Sequence, residues 1–227
     1  MTIRIDWMPP GKIEAEATAL LASYEQAQGK IDSWATPVEE IAEIHLGLAC
    51  EIIDFGADGI LGQIDIEDKI IKINSYLEPS ALSGHEGRFY FTFAHEVAHW
   101  VLHRHYVERD TAPTLFDSGK EKIILCRQQD KKEPVEWQAD TFASCLLMPA
   151  EKIFARFRQY MKSDKSRSIQ ELCDTYQRTR LIKIPRTEDE ILGEIFGDMA
   201  EDFKVSRQAL IIRLKGMGLL QKDQAFM

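Results

Sequence analysis

The period of hydrophobic and polar positions changes twice along the chain. Residues 12–28 follow a helical period that ends at Gly29. A second helix is predicted to begin at Thr36, with Pro37 in its first turn and Glu39 at capping-box spacing. The pattern then becomes rich in Ile with near-alternating polarity, which predicts a small antiparallel sheet of three strands. These strands are residues 49–55, 60–66 and 69–73.

The second half of the chain returns to helical periodicity. Residues 89–105 and 135–148 are predicted helices, and Pro149 ends the second of them. Between them only a short strand near residues 122–126 is indicated. The later helical signals are capping-box spacings at Ser168 and Thr187 and a final helix pair at 188–202 and 206–215.

This order of elements predicts an α+β fold, with the small sheet packed on the helix of residues 89–105. We expect one domain over residues 1–165, in which residues 1–30 form an N-terminal helical extension. Residues 166–227 are expected to form a helical C-terminal region. Its last helix pair resembles a helix-turn-helix and is predicted to pack on the core.

Composition and charge argue against several classes of protein, among them nucleic-acid-binding, membrane and secreted proteins. The chain has 227 residues and a net charge of -9, which argues against general nucleic-acid binding. Residues 151–186 depart from this, with ten Lys or Arg against four Asp or Glu, and we interpret them as a solvated helix face. No apolar run is long enough for a membrane span and no secretory signal is visible. The four separated cysteines fit a reduced, cytoplasmic protein.

The segment from His95 to His99 reads His-Glu-Val-Ala-His. Two histidines four residues apart share one face of a helix, so both imidazoles can reach one zinc ion. Glu96 is then placed to take a proton from water without binding the metal.

The helix of residues 135–148 offers a third metal ligand. Catalytic zinc usually takes three protein ligands, and Glu136 is the predicted third. Asp140 lies four residues further on the same face, where its carboxylate can orient a ligand histidine by a hydrogen bond.

Other residues compete for the third position. His105 has the spacing of a longer zinc motif, but that motif needs Gly where this chain has Leu102. His103 and Glu133 are weaker alternatives. The thiolate of Cys126 is also a good zinc ligand and would silence the site if it bound there.

Two stretches resemble the ImmA/IrrE-type metallopeptidases. They are Arg88–His103, which reads RFYFTFAHEVAHWVLH, and Glu136–Pro149, which reads EWQADTFASCLLMP. The resemblance covers roughly residues 36–220. It implies a gluzincin-like fold, a cytoplasmic location, and zinc held by His95, His99 and Glu136 with Glu96 as base. It also implies a substrate class, namely helix-turn-helix transcriptional repressors that are cut once in stress response or mobile-element control.

The predicted function is therefore zinc-dependent hydrolysis of a peptide bond. An oxyanion donor is expected, with Arg88, Tyr90, His103 and Tyr106 as candidates. One alternative is a DNA-binding regulator that uses Ser206, Arg207, Arg213 and Lys215 of the last helix pair. Another is a binding module that keeps the metal without turnover, although such a module has no need of Glu96.

Overall fold

The computed structural model describes residues 5–56, 59–79, 85–106, 123–127, 133–179 and 186–222. The chain forms two compact units, residues 1–147 and 148–227. The predicted domain boundary between residues 165 and 166 stays a prediction. Over the described ranges, no helix combines the length and the apolar character that crossing a membrane requires.

The first unit brings the two motif helices together. Its helix α4 packs against both α1 and α3, and the predicted end of α1 at Gly29 is confirmed. The helices described in this unit are α1 (Pro10–Gln28), α2 (Val38–Glu40, continued by a π-helical turn at Ile41–His45), α3 (Glu86–Ala98, continued by a π-helical turn at His99–His103) and α4 (Pro134–Leu147).

The sheet lies against α3 through its two inner strands. Its strands are β1 (Ala49–Ile53), β2 (Ile60–Asp65), β3 (Ile70–Asn74) and β4 (Ile123–Arg127), in the order β1-β3-β2-β4. The predicted strand near residues 122–126 is therefore present.

The prediction of a wholly antiparallel sheet is wrong for one pair. β2 pairs antiparallel with β3 and β4, whereas β1 pairs parallel with β3. Alternating polarity specifies which face of a strand is buried but does not specify its neighbour. Here β3 lies between β1 and β2, so β1 pairs with β3 and not with β2, the strand that follows it in the chain.

The predicted cap at Thr36 is also wrong. The residue before the first turn of α2 is Pro37, and no side chain caps that turn. The buried hydroxyl of Thr36 instead donates to the main-chain oxygen of Leu146, 2.8 Å away near the end of α4. A tertiary hydrogen bond thus takes the hydroxyl that the local pattern assigned to the helix start.

The second unit is mainly helical, as predicted. The predicted helix 188–202 is divided at Phe196, whose ring packs against Phe157, and the Tyr160 hydroxyl donates to the main-chain oxygen of Ile195. The capping box at Thr187 is confirmed by both of its hydrogen bonds. The described helices are α5 (Ala150–Met161), α6 (Ile169–Thr179), α7 (Glu188–Ile195), α8 (Gly197–Asp202) and α9 (Arg207–Gly216), with a short parallel pair β5 (Arg167–Ser168) and β6 (Leu220–Gln221).

Candidate metal centre

Two buried imidazoles meet on one face of α3. The Nε2 atoms of His95 and His99 lie 3.0 Å apart, and both side chains are almost fully buried. Burial, with His95 and His103 nearby, holds the pKa of His99 well below its usual value. His99 is therefore neutral and has a lone pair to offer.

Helix α4 supplies two carboxylates to the same place. Glu136 approaches both rings, with its Oε2 3.1 Å from His95 Nε2 and its Oε1 3.5 Å from His99 Nε2. Asp140, one turn later, lies behind the first ring, with Oδ1 2.9 Å from His95 Nδ1. A proton on Nδ1 that is donated to Asp140 leaves Nε2 of His95 with a free lone pair.

The side chains of His95, His99 and Glu136 form a set of ligands that fits a divalent cation. One ligand atom from each of His95, His99 and Glu136 lies within 4.8 Å of the others. The lone pairs of these two imidazole nitrogens and of the carboxylate oxygen repel one another at such short range unless a proton or a cation lies between them. Two imidazole nitrogens and a carboxylate are a donor set of catalytic zinc.

Glu96 lies beside this cluster and is fully buried. Both of its carboxylate oxygens lack a hydrogen-bond partner among the described residues. Burial raises the pKa of Glu96 to about 8, against a smaller opposing effect of His95. A buried carboxylate without a partner is costly, so its retention here favours a chemical role over a structural one.

Glycine at position 62 makes room for the Glu96 carboxylate. A Cβ at Gly62 of β2 would lie 2.7 Å from Glu96 Oε1 and 2.8 Å from Thr92 Cγ2. Any larger residue would therefore push against the side chain predicted to act as the base. The HExxH and Glu136 spacings do not predict this role, although a glycine inside an Ile-rich strand signals such a close approach.

His103 lies against the Nδ1 side of the His99 ring, opposite the Nε2 atom that faces His95. Its Nδ1 lies 3.0 Å from His99 Nδ1, and its Nε2 lies 3.1 Å from Gln138 Oε1. Burial lowers the pKa of His103 to about 4, so the ring is neutral. Both ring nitrogens are engaged, which leaves no N–H for the oxyanion of a substrate.

The remaining candidate oxyanion donors and metal ligands make other contacts. Tyr106 donates its hydroxyl to Asp6 Oδ2, 3.2 Å away, and the ring of His105 packs on that of Tyr106. Arg88 lies over the ring of Tyr76, and Tyr90 packs edge-on against Phe89. Within the described ranges, His105 and Glu133 are outside the three-residue cluster. The side chain of Cys126 lies outside the described part of the structure.

Comparison with known proteins assigns the family. The model of the IrrE N-terminal-like domain, peptidase family M78, matches residues 63–215, which is more than half of the chain. No curated protein matches. A solved structure of a Mycobacterium tuberculosis transcriptional regulator is similar, with a TM-score of 0.49 and 13% sequence identity over 92% of this chain and 52% of that one. The chain thus spans about half the length of that structure. On the family match, the chain belongs to the family of the IrrE N-terminal-like domain, peptidase family M78.

Proposed function

We propose that this protein is a zinc-dependent endopeptidase that cuts a helix-turn-helix transcriptional repressor at one site in the cytoplasm. The observation that carries the proposal is the buried His95, His99 and Glu136 cluster with the Glu96 carboxylate beside it. Membership of a peptidase family supports the reaction class. The repressor as substrate rests on the resemblance of the two motifs.

Each residue has a defined part in this proposal. His95, His99 and Glu136 would hold zinc, which when bound polarises the scissile carbonyl and makes water more acidic. Glu96 would take the proton from the attacking water and pass it to the leaving amine. Asp140 would hold the His95 ring so that Nε2 faces the metal.

The raised pKa of Glu96 suits a group that both accepts and returns a proton near neutral pH. A cation close to the carboxylate would lower that pKa and favour the ionised form. Zinc is also favoured by its borderline-soft character, which matches two imidazoles and one carboxylate.

The decisive test compares the native chain with Glu96→Gln. Both zinc-loaded proteins are incubated with purified helix-turn-helix repressors of the source cell, and products are identified by mass spectrometry. We expect the native chain to cut one repressor at one peptide bond, whereas Glu96→Gln binds zinc equally but cuts none. Equal cleavage by both proteins would contradict the assignment of the base. A native chain that takes up no zinc would contradict the metal site.

Helices α8 and α9 are less well suited to DNA. In the second unit, Lys215 pairs with Asp189 at 2.7 Å, and the Arg213 guanidinium donates to the main-chain oxygen of Met148 at 3.1 Å. The Nη1 atom of Arg207 lies 3.7 Å from Oε1 of Glu194. Basic side chains held in this way favour a packing role over contacts with phosphates. We therefore expect no gel shift with duplex DNA even at low salt.

A further inference from the structure

The outer side of His99 leads into a continuous line of buried hydrogen bonds. From His99 Nδ1 the line passes to His103 Nδ1 at 3.0 Å and from His103 Nε2 to Gln138 Oε1 at 3.1 Å. It ends where Gln138 Nε2 donates to the main-chain oxygen of Asp6 at 2.9 Å. His99, His103 and Gln138 are almost fully buried, so water does not compete for these bonds.

If Nε2 of His99 binds a metal, the donor and the acceptor of every hydrogen bond in this line are determined. His99 can offer Nε2 to a metal only when its proton is on Nδ1, and that proton then points at His103. His103 must accept it at Nδ1 and therefore carries its own proton on Nε2. That proton requires the oxygen of Gln138, which turns the Gln138 amide nitrogen toward the carbonyl of Asp6.

We propose that His103 and Gln138 are positioning residues that fix the tautomer of His99 and anchor its ring to the N-terminal segment at Asp6. His99, His103, Gln138 and the Asp6 carbonyl together form a hydrogen-bond relay. The inference rests on the proposed function, because the tautomer of His99 matters only if its Nε2 binds the metal. It adds to that function the means by which the second imidazole is oriented.

The two ligand histidines are thus supported by different chemistry. Asp140 holds His95 with a carboxylate, whereas His103 holds His99 with a neutral ring. Three carboxyl groups already lie in or beside the metal-binding cluster, namely those of Glu96, Glu136 and Asp140. A neutral acceptor orients the second ring without burying a further negative charge, which would be costly.

The test measures zinc affinity by competition with a chelator, together with the thermal stability of each metal-free protein. His103→Phe keeps a ring but cannot accept from His99, and Gln138→Met removes the next acceptor. We expect zinc binding about 10- to 100-fold weaker in both variants. His103→Gln, whose amide oxygen can accept, should recover part of the loss. His45→Phe is the matched control, because it replaces an imidazole that packs edge-on against Tyr24, and should bind zinc as the native chain does.

A second measurement reads the tautomers directly and does not depend on any variant folding. In nitrogen-15 spectra of the zinc-loaded native chain, we expect the proton of His103 on Nε2 and that of His99 on Nδ1. A proton on Nδ1 of His103 would overturn the proposal. So would unchanged zinc affinity in a folded His103→Phe protein, and this result would leave the proposed function intact. A native chain that binds no zinc would overturn both.

Discussion

Gly62 of β2 lies so close to the Glu96 carboxylate of α3 that a Cβ at position 62 would force one of them to move. Because a Cβ there would lie 2.7 Å from Glu96 Oε1, Gly62→Ala must displace the carboxylate or the strand. A shift of about 1 Å at a catalytic group can cost about 100-fold in rate. We therefore expect Gly62→Ala to retain zinc while repressor cleavage falls about 100-fold.

The control for this substitution is Gly11→Ala on α1, where a Cβ would meet no atom within 4 Å. It adds the same methyl group, and its cleavage rate should equal that of the native chain. If Gly62→Ala cleaves at the native rate, the contact with Glu96 has no catalytic consequence.

Removing the carboxylate behind His95 should weaken the metal site without unfolding the protein. Asp140 is part-buried and lies 2.9 Å from His95 Nδ1. We expect Asp140→Ala to bind zinc about 10- to 100-fold less tightly, because the ring loses the acceptor that sets its orientation. Chelator competition gives the affinity. A metal-free melting temperature far below that of the native chain would instead indicate a structural role.

In the metal-free protein, the buried Glu96 carboxyl should contribute less to stability as pH rises. The pKa of Glu96 is about 8 in the folded chain and near 4.5 when unfolded, because burial disfavours the charged carboxylate. Between these values the folded state holds a proton that the unfolded state has released. The contribution of Glu96 to the free energy of unfolding therefore falls from about pH 5 to about pH 8 and then levels, whereas the lowered pKa values of His99 and His103 act in the opposite direction over the lower part of this range.

Glu96→Gln is neutral at every pH and lacks this contribution, while the histidines are the same in both proteins, so the difference between the two proteins isolates Glu96. Urea denaturation of both metal-free proteins at pH 5 and pH 8 provides the measurement. The variant should be the more stable protein at pH 8, by about 4 kcal/mol, and the difference should shrink toward pH 5. Parallel curves across this range would contradict the raised pKa.

Thr36 contributes to stability through its hydrogen bond to Leu146. Thr36→Val leaves a buried carbonyl near the end of α4 without its donor, so we expect a loss of about 1–3 kcal/mol in the free energy of unfolding. Thr18→Val is the matched control, because Thr18 also donates to a carbonyl, that of Glu14, but at an exposed site. Equal losses for the two variants would show that the buried bond has no special weight.

The parts of the site that the sequence predicts are those encoded by short spacings. His95 and His99 share a face of α3, and Glu136 and Asp140 share a face of α4, because residues four apart in a helix are neighbours. The structure brings these two faces together.

The features that escaped prediction depend on pairings between distant segments. The position of β1 beside β3, the bond from Thr36 to Leu146, and the approach of Gly62 to Glu96 each join residues that no local period relates. The spacing of His103 makes it a weak alternative ligand and one of four candidate oxyanion donors. Its contact with Gln138 of α4 could not be inferred from its own helix.

The outermost contact of the hydrogen-bond relay has a consequence for how the protein tolerates change. Asp6 accepts the bond from Gln138 with its main-chain oxygen, which every amino acid possesses. Many residue types at position 6 would serve equally well, whereas an insertion or deletion beside it would move the carbonyl. Selection on this contact would therefore preserve the path of the chain between Asp6 and α1 without specifying a residue type, whereas the bond from Tyr106 to the Asp6 carboxylate is the one that favours Asp there.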